Sequence, residues 1–315
     1  MQTVSRVLSH GRTELAKVIV GQEELITQCL LTILCQGHAL LEGVPGIAKT
    51  LVIKCFARLF ALEFKRVQCT SDLMPADIIG SNVLNLSDST FSLHRGPLFT
   101  DFLLADEVNR MPPRTQAALL ESMEERQITI DGETYRLSNF FTVFATQNPI
   151  EFEGTYPLPE AQLDRFLLKT VVTYPEMEQE VTILKNHHQG FDPHDLAATN
   201  IEQLGADVLA EARAQVRGVR VEPALFQYIV EIVRRTRDWP SFSIGASPRA
   251  AISLMMVAKG FAGVEERDYL IPDDVKAAAL PVLRHRVILR PEAELEGLGT
   301  DQVLNEVIAS VAVPK

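Results

Sequence analysis

The segment Leu-Glu-Gly-Val-Pro-Gly-Ile-Ala-Lys-Thr at residues 41–50 constrains the fold of this chain more than any other feature. It follows the apolar run 39–41 and precedes apolar residues at helical spacing, which predicts a strand, a glycine-rich turn and a helix. Glycines let backbone N–H groups turn toward an anion, and the helix N-terminus adds partial positive charge. The segment therefore predicts a phosphate-binding loop.

The residues of this loop have separate predicted roles. Lys49 should reach the β- and γ-phosphates of a nucleotide, and the Thr50 hydroxyl should ligate Mg²⁺. The general pattern has Gly before the Lys, whereas this chain has Ala48, which allows less backbone freedom. The alternative interpretation is a glycine-rich turn that binds no ligand. The predicted nucleotide contacts in this segment are Gly43, Val44, Pro45, Gly46, Ile47, Ala48, Lys49, Thr50 and Leu51.

Composition narrows the class of protein. The chain has 315 residues, 46% of them apolar, which is enough for two domains or for one domain with a lid. Its net charge of −11 argues against a surface devoted to nucleic acid, although a local basic groove could persist. The four cysteines show no metal-ligand spacing, which predicts buried thiols in the reducing cytoplasm. No apolar run approaches the length of a membrane span, and no signal peptide is recognisable, so no membrane insertion is expected.

A pair of carboxylates follows the apolar run 102–105. Asp106 and Glu107 should stand at the carboxyl end of a strand, and a parallel sheet would bring them beside the phosphate loop. We expect Asp106 to hold Mg²⁺, directly or through water, and Glu107 to orient and deprotonate the attacking water. The alternative is a solvated carboxylate pair.

Two further polar residues follow predicted elements later in the chain. The strand predicted at 140–146 ends before Asn148, which would lie at the same sheet edge, beside the γ-phosphate. An Asn that only caps a strand before Pro is the alternative. Arg165 ends a short predicted helix and stands beside Asp164, a setting typical of a weak surface ion pair, so the residue pattern alone leaves its role open.

The chain also predicts two hairpins and a helical region. Turn residues punctuate 71–100, which indicates an inserted hairpin near 80–95, with an ordinary surface loop as the alternative. Residues 127–137 alternate around an Asp-Gly pair, a strong hairpin signal. Beyond residue 175 no strand is obvious, and apolar residues at helical spacing predict an all-helical domain. Its helical segments are 176–186, 202–216, 222–237, 247–262 and 272–284.

The helical region contains one candidate ligand contact. Ser247 and Pro248 look like the start of a helix, which places Arg249 in a first turn, where a cation is disfavoured unless it meets an anion. We therefore expect Arg249 to contact a ligand. His187 and His188 could suggest a metal site, but adjacent residues on a helix face different ways and no third ligand is near, so a solvated pair is favoured.

Taken together, these residues resemble the MoxR family of AAA+ ATPases over most of the chain. The motifs that carry the resemblance are Val-Gly-Gln at 20–22, Ala-Lys-Thr at 48–50, Leu-Met-Pro-Ala-Asp-Ile-Ile-Gly at 73–80, Gly-Pro-Leu-Phe at 96–99, Leu-Ala-Asp-Glu-Val-Asn-Arg at 104–110, Ala-Thr-Gln-Asn-Pro at 145–149 and Glu-Gly-Thr-Tyr-Pro-Leu-Pro-Glu-Ala-Gln-Leu-Asp-Arg-Phe at 153–166. The last two motifs are highly specific, and Ala48 then matches the family's own loop.

The resemblance implies a role for each matching residue. Lys49 and Thr50 would be the Walker A pair, and Asp106 and Glu107 the Walker B pair. Asn148 would be the sensor that positions the lytic water.

The resemblance also implies roles for two arginines and for the adenine pocket. Arg165 would be the finger that reaches the γ-phosphate of a neighbouring subunit, and Arg249 would be the sensor of the lid domain. Val20 and Gly21 would line the adenine pocket.

The fold implied by the resemblance is α/β: a P-loop AAA+ core with a parallel five-stranded sheet of order 5-1-4-3-2, followed by an all-helical lid domain. The core would cover residues 1–185 and the lid 186–315. The inserts near 80–95 and 127–137 would face the central channel of a hexamer, where such proteins grip a client.

The implied function is Mg²⁺-dependent ATP hydrolysis that remodels, assembles or activates a client protein complex, metal-cofactor insertion included, commonly with a von Willebrand A domain partner. One alternative is a nucleic-acid motor, but the 80–95 insert offers only Phe91, His94 and Arg95 for such contacts, and the 127–137 insert only Tyr135 and Arg136. The other is a scaffold that binds ATP without turnover, which should lack Glu107 or Arg165, and both are present.

Overall fold

The computed structural model describes residues 1–44, 48–85, 90–149, 154–193, 195 and 199–314. A short 3₁₀ helix covers Val108–Arg110. The strands are β1 (Ala39–Glu42), β2 (Phe64–Gln68), β3 (Gly80–Asn85), β4 (Thr90–Arg95), β5 (Phe102–Asp106), β6 (Gln127–Ile130), β7 (Glu133–Arg136), β8 (Thr142–Gln147), β9 (Leu168–Val171), β10 (Phe242–Ile244) and β11 (Ile288–Leu289). The α-helices are α1 (Gln2–Ala16), α2 (Glu23–Leu34), α3 (Lys49–Leu59), α4 (Pro75–Ile79), α5 (Pro113–Glu125), α6 (Glu160–Leu163), α7 (Met177–His188), α8 (Ala206–Arg217), α9 (Pro223–Arg237), α10 (Pro248–Val264), α11 (Pro272–Leu283), α12 (Pro291–Leu295) and α13 (Thr300–Ser310).

The central sheet has five parallel strands in the order β2-β5-β8-β1-β9. Counted in chain order, these strands stand in the order 5-1-4-3-2, so the predicted topology is confirmed. The register pairs Glu42 with Gln147 and Gln68 with Asp106. The phosphate loop, the carboxylate pair and Asn148 therefore leave the sheet at the same edge.

Each face of the sheet is covered by a separate apolar layer, because side chains alternate between faces along a strand. Leu41 and Phe144 face the layer that includes α1, α2 and α3, whereas Leu40 and Val143 face the layer that includes α4 and α5. Phe102 and Phe144 on adjacent strands meet edge to face, with ring centroids 6.0 Å apart. A sheet covered on both faces gives rigid support to the residues at its edge.

The C-terminal helices pack against the first two helices of the chain. A Cβ added at Gly260 of α10 would lie 2.7 Å from Leu31 Cδ2, and one added at Gly263 would lie 2.7 Å from Val4 Cγ1. Glycine therefore permits the close approach of α10 to α1 and α2. One apolar cluster runs through these helices into the C-terminal region. The predicted domain boundary at 185/186 falls inside α7 and stays a prediction.

The region predicted to be all-helical contains five helices close to the predicted segments, α7 to α11. It also contains the antiparallel pair β10 and β11, which the sequence did not indicate. The strands of this pair have three and two residues, which is too short for an alternation pattern to show.

Both predicted hairpins are present. β3 pairs with β4, from Gly80 opposite Arg95, and the turn at 86–89 lies outside the described residues. β6 pairs with β7 around Asp131 and Gly132, whose φ angles of 49° and 87° suit the Asp-Gly turn. Phe91 is 72% exposed. The position of either hairpin in a ring stays a prediction.

Two expectations drawn from composition can be compared with the structure. No helix in the described ranges has the length and apolar character needed to cross a bilayer. The thiols of all four cysteines are free and buried, and burial raises their pKa values above the ordinary value.

Candidate active site

A cleft of about 540 Å³ opens at the carboxyl ends of β1, β5 and β8. Ligands of open α/β sheets bind at this edge. Residues of the phosphate loop line the cleft together with both carboxylates and Asn148. One end of the cleft is polar and the other is apolar.

The polar end begins at the phosphate loop. Ala48 precedes α3 in the left-handed conformation, with φ of 60°, and Lys49 is the first helical residue. Lys49 Nζ donates a hydrogen bond of 2.6 Å to the carbonyl of Gly43. Burial lowers the pKa of Lys49, while Asp106 and Glu107 act in the opposite sense and favour the charged amine. Thr50 and Leu51 also line the cleft, whereas the predicted contacts Pro45, Gly46 and Ile47 lie outside the described residues.

The phosphate loop departs from the general pattern at residue 48, where Ala replaces the usual Gly. The left-handed conformation is one that glycine adopts without strain and that alanine adopts at a cost of about 1–2 kcal/mol. Residue 48 therefore has the backbone conformation that Gly adopts easily in the general pattern, although the residue in this chain is Ala.

Val44, which follows β1 and Gly43, packs against the apolar cluster and does not line the cleft.

Asp106 is held by two neighbouring strands. Thr146 on β8 donates its hydroxyl to Asp106 Oδ1. Arg66 on β2 donates to Asp106 Oδ2 through Nε at 3.1 Å and Nη2 at 2.6 Å. The same Thr146 hydroxyl accepts the backbone N–H of Glu107 at 2.8 Å. The carboxylate is therefore fixed in orientation at the mouth of the cleft.

Glu107 takes a left-handed backbone conformation, with φ of 60° and ψ of 53°. Such strain in a non-glycine residue is often found at functional sites. Gln68 Nε2 donates to Glu107 Oε2 at 3.1 Å, and Arg110 Nε lies 3.1 Å from the same oxygen. The carboxylate is thus oriented by polar neighbours and lines the cleft.

The donor set fits Mg²⁺. The Thr50 hydroxyl and the Asp106 carboxylate line the same cleft, and both are the hard oxygen ligands that Mg²⁺ prefers. Asn148 follows β8, is only 9% exposed and lines the cleft beside them.

The two predicted arginines lie together outside this cleft. Arg165 Nε is 3.0 Å from Glu124 Oε2, and Arg249 Nη2 donates to Glu124 Oε1. The hydrogen bond from Arg249 is the largest cause of the lowered pKa of Glu124. Neither arginine lines the cleft of its own chain. In this structure Arg249 pairs with Glu124, and its contact with a ligand stays a prediction.

The position of Arg249 follows from how α10 begins. Ser247 caps the helix by accepting the Ala250 N–H, and its hydroxyl donates to Asp164 Oδ2 at 2.8 Å. Asp164 also pairs with the buried Arg286, at 2.6 Å. These bonds hold the start of α10 next to Arg165.

Two separate stretches of the chain line the apolar end of the cleft, residues 18–20 and residues 183–191. Val20 lines it next to Val18 and Ile19, and its contact with adenine stays a prediction. Gly21 is not among the lining residues, and its contact with adenine stays a prediction; the side chain of Gln179 on α7 lies beside it, so that a Cβ there would be 2.5 Å from Gln179 Oε1.

Sequence reasoning missed several lining residues. Ile183 and His187 lie four residues apart on α7 and line the cleft, a helical spacing that could have indicated them, whereas Phe191 lines the cleft from beyond the end of α7. His187 is exposed, in agreement with the expected solvated side chain, and it also lines the cleft. Within the described ranges, neither His187 nor His188 belongs to a group of possible metal ligands.

Comparisons with known proteins agree with this geometry. Residues 38–168 match the family described as "ATPase family associated with various cellular activities (AAA)", and residues 234–307 match the AAA lid domain. The solved structure of a Cytophaga hutchinsonii protein assigned as an ATPase superposes with a TM-score of 0.89, at 41% identity, over 100% of this chain and 98% of that one.

Curated relatives extend over nearly the whole chain. Chaperone MoxR1 of Mycobacterium tuberculosis is 42% identical, over 96% of this chain and 81% of its own length. The uncharacterized protein YeaC of Bacillus subtilis is 41% identical, over 95% and 92%. Protein MoxR of Paracoccus denitrificans is 30% identical, over 94% and 93%.

Proposed function

Because the chain belongs to the MoxR family of AAA+ ATPases, we propose that it hydrolyses ATP with Mg²⁺ to remodel, assemble or activate a client protein complex. The observation that carries the proposal is the meeting of Lys49, Asp106, Glu107 and Asn148 in one cleft. The M. tuberculosis relative is named a chaperone, which supports work on a protein client.

The geometry supports a division of labour in the cleft. Thr50 and Asp106 would hold Mg²⁺, which would neutralise charge on the phosphate oxygens. Lys49 would bind the β- and γ-phosphates, and Asn148 would orient the attacking water. Glu107 would accept the proton of that water, since its carboxylate is already oriented by Gln68.

We assign the two arginines to a neighbouring subunit. Arg165 and Arg249 share Glu124 and do not line their own cleft, which supports placing both at the γ-phosphate in a partner's cleft. The active unit would then be a ring, proposed to be a hexamer. In a closed ring, the same head-to-tail contact is repeated between each pair of neighbouring subunits.

The finer parts of the proposal concern the ring and its partners. The β3–β4 and β6–β7 hairpins would face the central channel, where the exposed Phe91 could grip a client. Insertion of a metal cofactor into that client and a von Willebrand A domain partner are implied by the family resemblance alone. Cytoplasmic location stays a prediction from the cysteine pattern.

The proposal is tested by measuring ATP turnover per subunit against protein concentration, with light scattering in parallel. Turnover that rises with concentration as a ring forms supports it, because each cleft would need a neighbour's arginine. Bound ATP without turnover at any concentration would favour the non-hydrolysing scaffold. Stimulation by single-stranded nucleic acid would favour the motor.

Phe191→Ala should raise the Kd for ADP by about tenfold with little change in kcat at saturating ATP. The side chain lines the apolar end of the cleft, so its loss removes apolar contact that substrate and transition state share. Titration with a fluorescent ADP analogue measures the Kd. Phe226→Ala, at an exposed Phe of α9 outside the cleft, is the matched control and should leave the Kd unchanged.

A further inference from the structure

A second cavity, of about 810 Å³, lies at the opposite end of the strands from the active-site cleft. Gln36 and residues 138–140 line it, and these residues precede β1 and β8, so the cavity is at the amino ends of the strands. The ends of the β6–β7 hairpin and the C-terminal part of α8 complete its wall.

Positive charge dominates this second cavity. Arg126, Arg136, Arg213 and Arg217 line it, against one lining carboxylate, Glu125; we call it the arginine cavity. Over the described ranges, none of these four guanidiniums forms an ion pair with a carboxylate. The whole chain has a net charge of −11, so four arginines without carboxylate partners in one cavity form a local region of opposite charge.

Arg213 is the buried member of the arginine cavity, at 2% exposure. Its Nε donates to the carbonyl of Ile33 at 2.9 Å, and its Nη1 to that of Asn139 at 2.9 Å. Its Nη2 is buried and has no hydrogen-bond partner among the described residues. The guanidinium stacks 5.1 Å from the centroid of the Phe140 ring, so its direction is fixed.

Two more guanidiniums converge on one residue beside Arg213. Arg126 donates through Nη2 to the carbonyl of Gln36, and Arg217 donates through Nη1 to Gln36 Oε1 at 3.3 Å. These acceptors are neutral, so they satisfy hydrogen bonds without cancelling charge. Arg136 brings a further guanidinium from the end of β7.

Besides burial, repulsion from neighbouring guanidiniums contributes to a lowered pKa of Arg213. Burial, and then the charge of Arg126, lower the pKa of Arg213 to about 10; Arg217 acts in the same sense. Asp101 acts in the opposite sense, but its carboxylate accepts hydrogen bonds from Glu63 N–H and the Ser138 hydroxyl. An anion in the cavity would relieve the repulsion.

The chemistry of the cluster selects the kind of anion. A guanidinium presents a planar fork of N–H donors that matches two oxygens of a phosphate. One carboxylate carries a single charge and would leave most of the cluster uncompensated, whereas linked phosphates carry several charges in a small volume. The cavity has the size of a small-molecule site.

We propose that the arginine cavity is a binding site for a small molecule with two or more linked phosphates, separate from the ATP cleft. The occupant would bridge Arg126 and Arg136, at the two ends of the β6–β7 hairpin, to Arg217 on α8. Its binding would therefore restrain the hairpin against the helical region.

The test is a calorimetric titration of tripolyphosphate, without Mg²⁺, into the full-length chain carrying Lys49→Ala, which weakens the phosphate loop. We expect binding, and a Kd at least about tenfold higher when Arg136→Gln and Arg217→Gln are added, because each removes a charge-assisted contact. Both side chains are exposed, so the double change should leave the fold intact, as circular dichroism will check. Arg220→Gln, at a side chain that is 68% exposed and outside the cavity, is the matched control.

Three outcomes would overturn the assignment. The first is no binding of tripolyphosphate up to millimolar concentration. The second is a Kd that the double change leaves unaltered, which would place the probe in the residual phosphate loop. The third is equally tight binding of hexaglutamate with the same dependence on the two arginines, which would make the cavity a groove for acidic peptides.

Discussion

Glu107→Gln should lower ATP turnover by about 10²- to 10⁴-fold while nucleotide binding persists. General-base catalysis contributes about 10²- to 10⁴-fold, and an amide cannot accept the proton of the attacking water. The substitution keeps the size of the side chain and does not alter Lys49 or Asp106, which bind phosphate and metal in the proposed mechanism. The loss should therefore fall on kcat and not on the Kd for ADP.

Single-turnover hydrolysis and titration with a fluorescent ADP analogue separate these two quantities. Glu121→Gln is the matched control, since Glu121 is an exposed carboxylate on α5 that does not line the cleft. Turnover of Glu107→Gln within about tenfold of wild type would contradict the assignment, since the smallest expected loss is about 10². A parallel loss of ADP binding would instead indicate that the substitution disturbs the left-handed backbone at this position.

The sequence could predict the polar end of the cleft because each residue there carries a local signal. Lys49 opens a helix after a glycine-rich turn, Asp106 ends an apolar strand, and Asn148 directly follows the adjacent strand β8. The parallel sheet then brings these three ends to one edge. Local pattern and topology together suffice for such residues.

The remaining contacts depend on packing that no local pattern reports. Arg66 reaches Asp106 only through the register of β2 on β5. Phe191 lines the cleft although it lies beyond the end of α7 at His188, where no helical periodicity continues. The partnership of Arg249 with Glu124 depends on how the C-terminal helices pack on the core.

Loss of the Arg165 side chain should also have a large effect on ATP turnover. Arg165→Ala should lower kcat by about 10³- to 10⁵-fold, the range for an arginine finger, because the γ-phosphate would lose the charge supplied by the neighbour. Lys49→Ala should also be inactive, because its phosphate loop lacks the amine proposed to bind the β- and γ-phosphates. Arg235→Ala, an exposed arginine on α9, is the control and should retain full turnover.

A mixture of the two inactive proteins distinguishes a shared site from a site within one chain. In a randomly mixed ring with equal amounts of each, about a quarter of the interfaces would join an intact phosphate loop to an intact Arg165. Turnover should therefore return toward that fraction after the subunits are mixed, and fall again when either protein is in excess. A finger that acted within its own chain could not produce this recovery, because every chain in the mixture carries one broken part. Light scattering of tagged chains will show whether mixed rings form. If they form and turnover is still zero at all ratios, the proposal that Arg165 acts in the neighbour's cleft is contradicted.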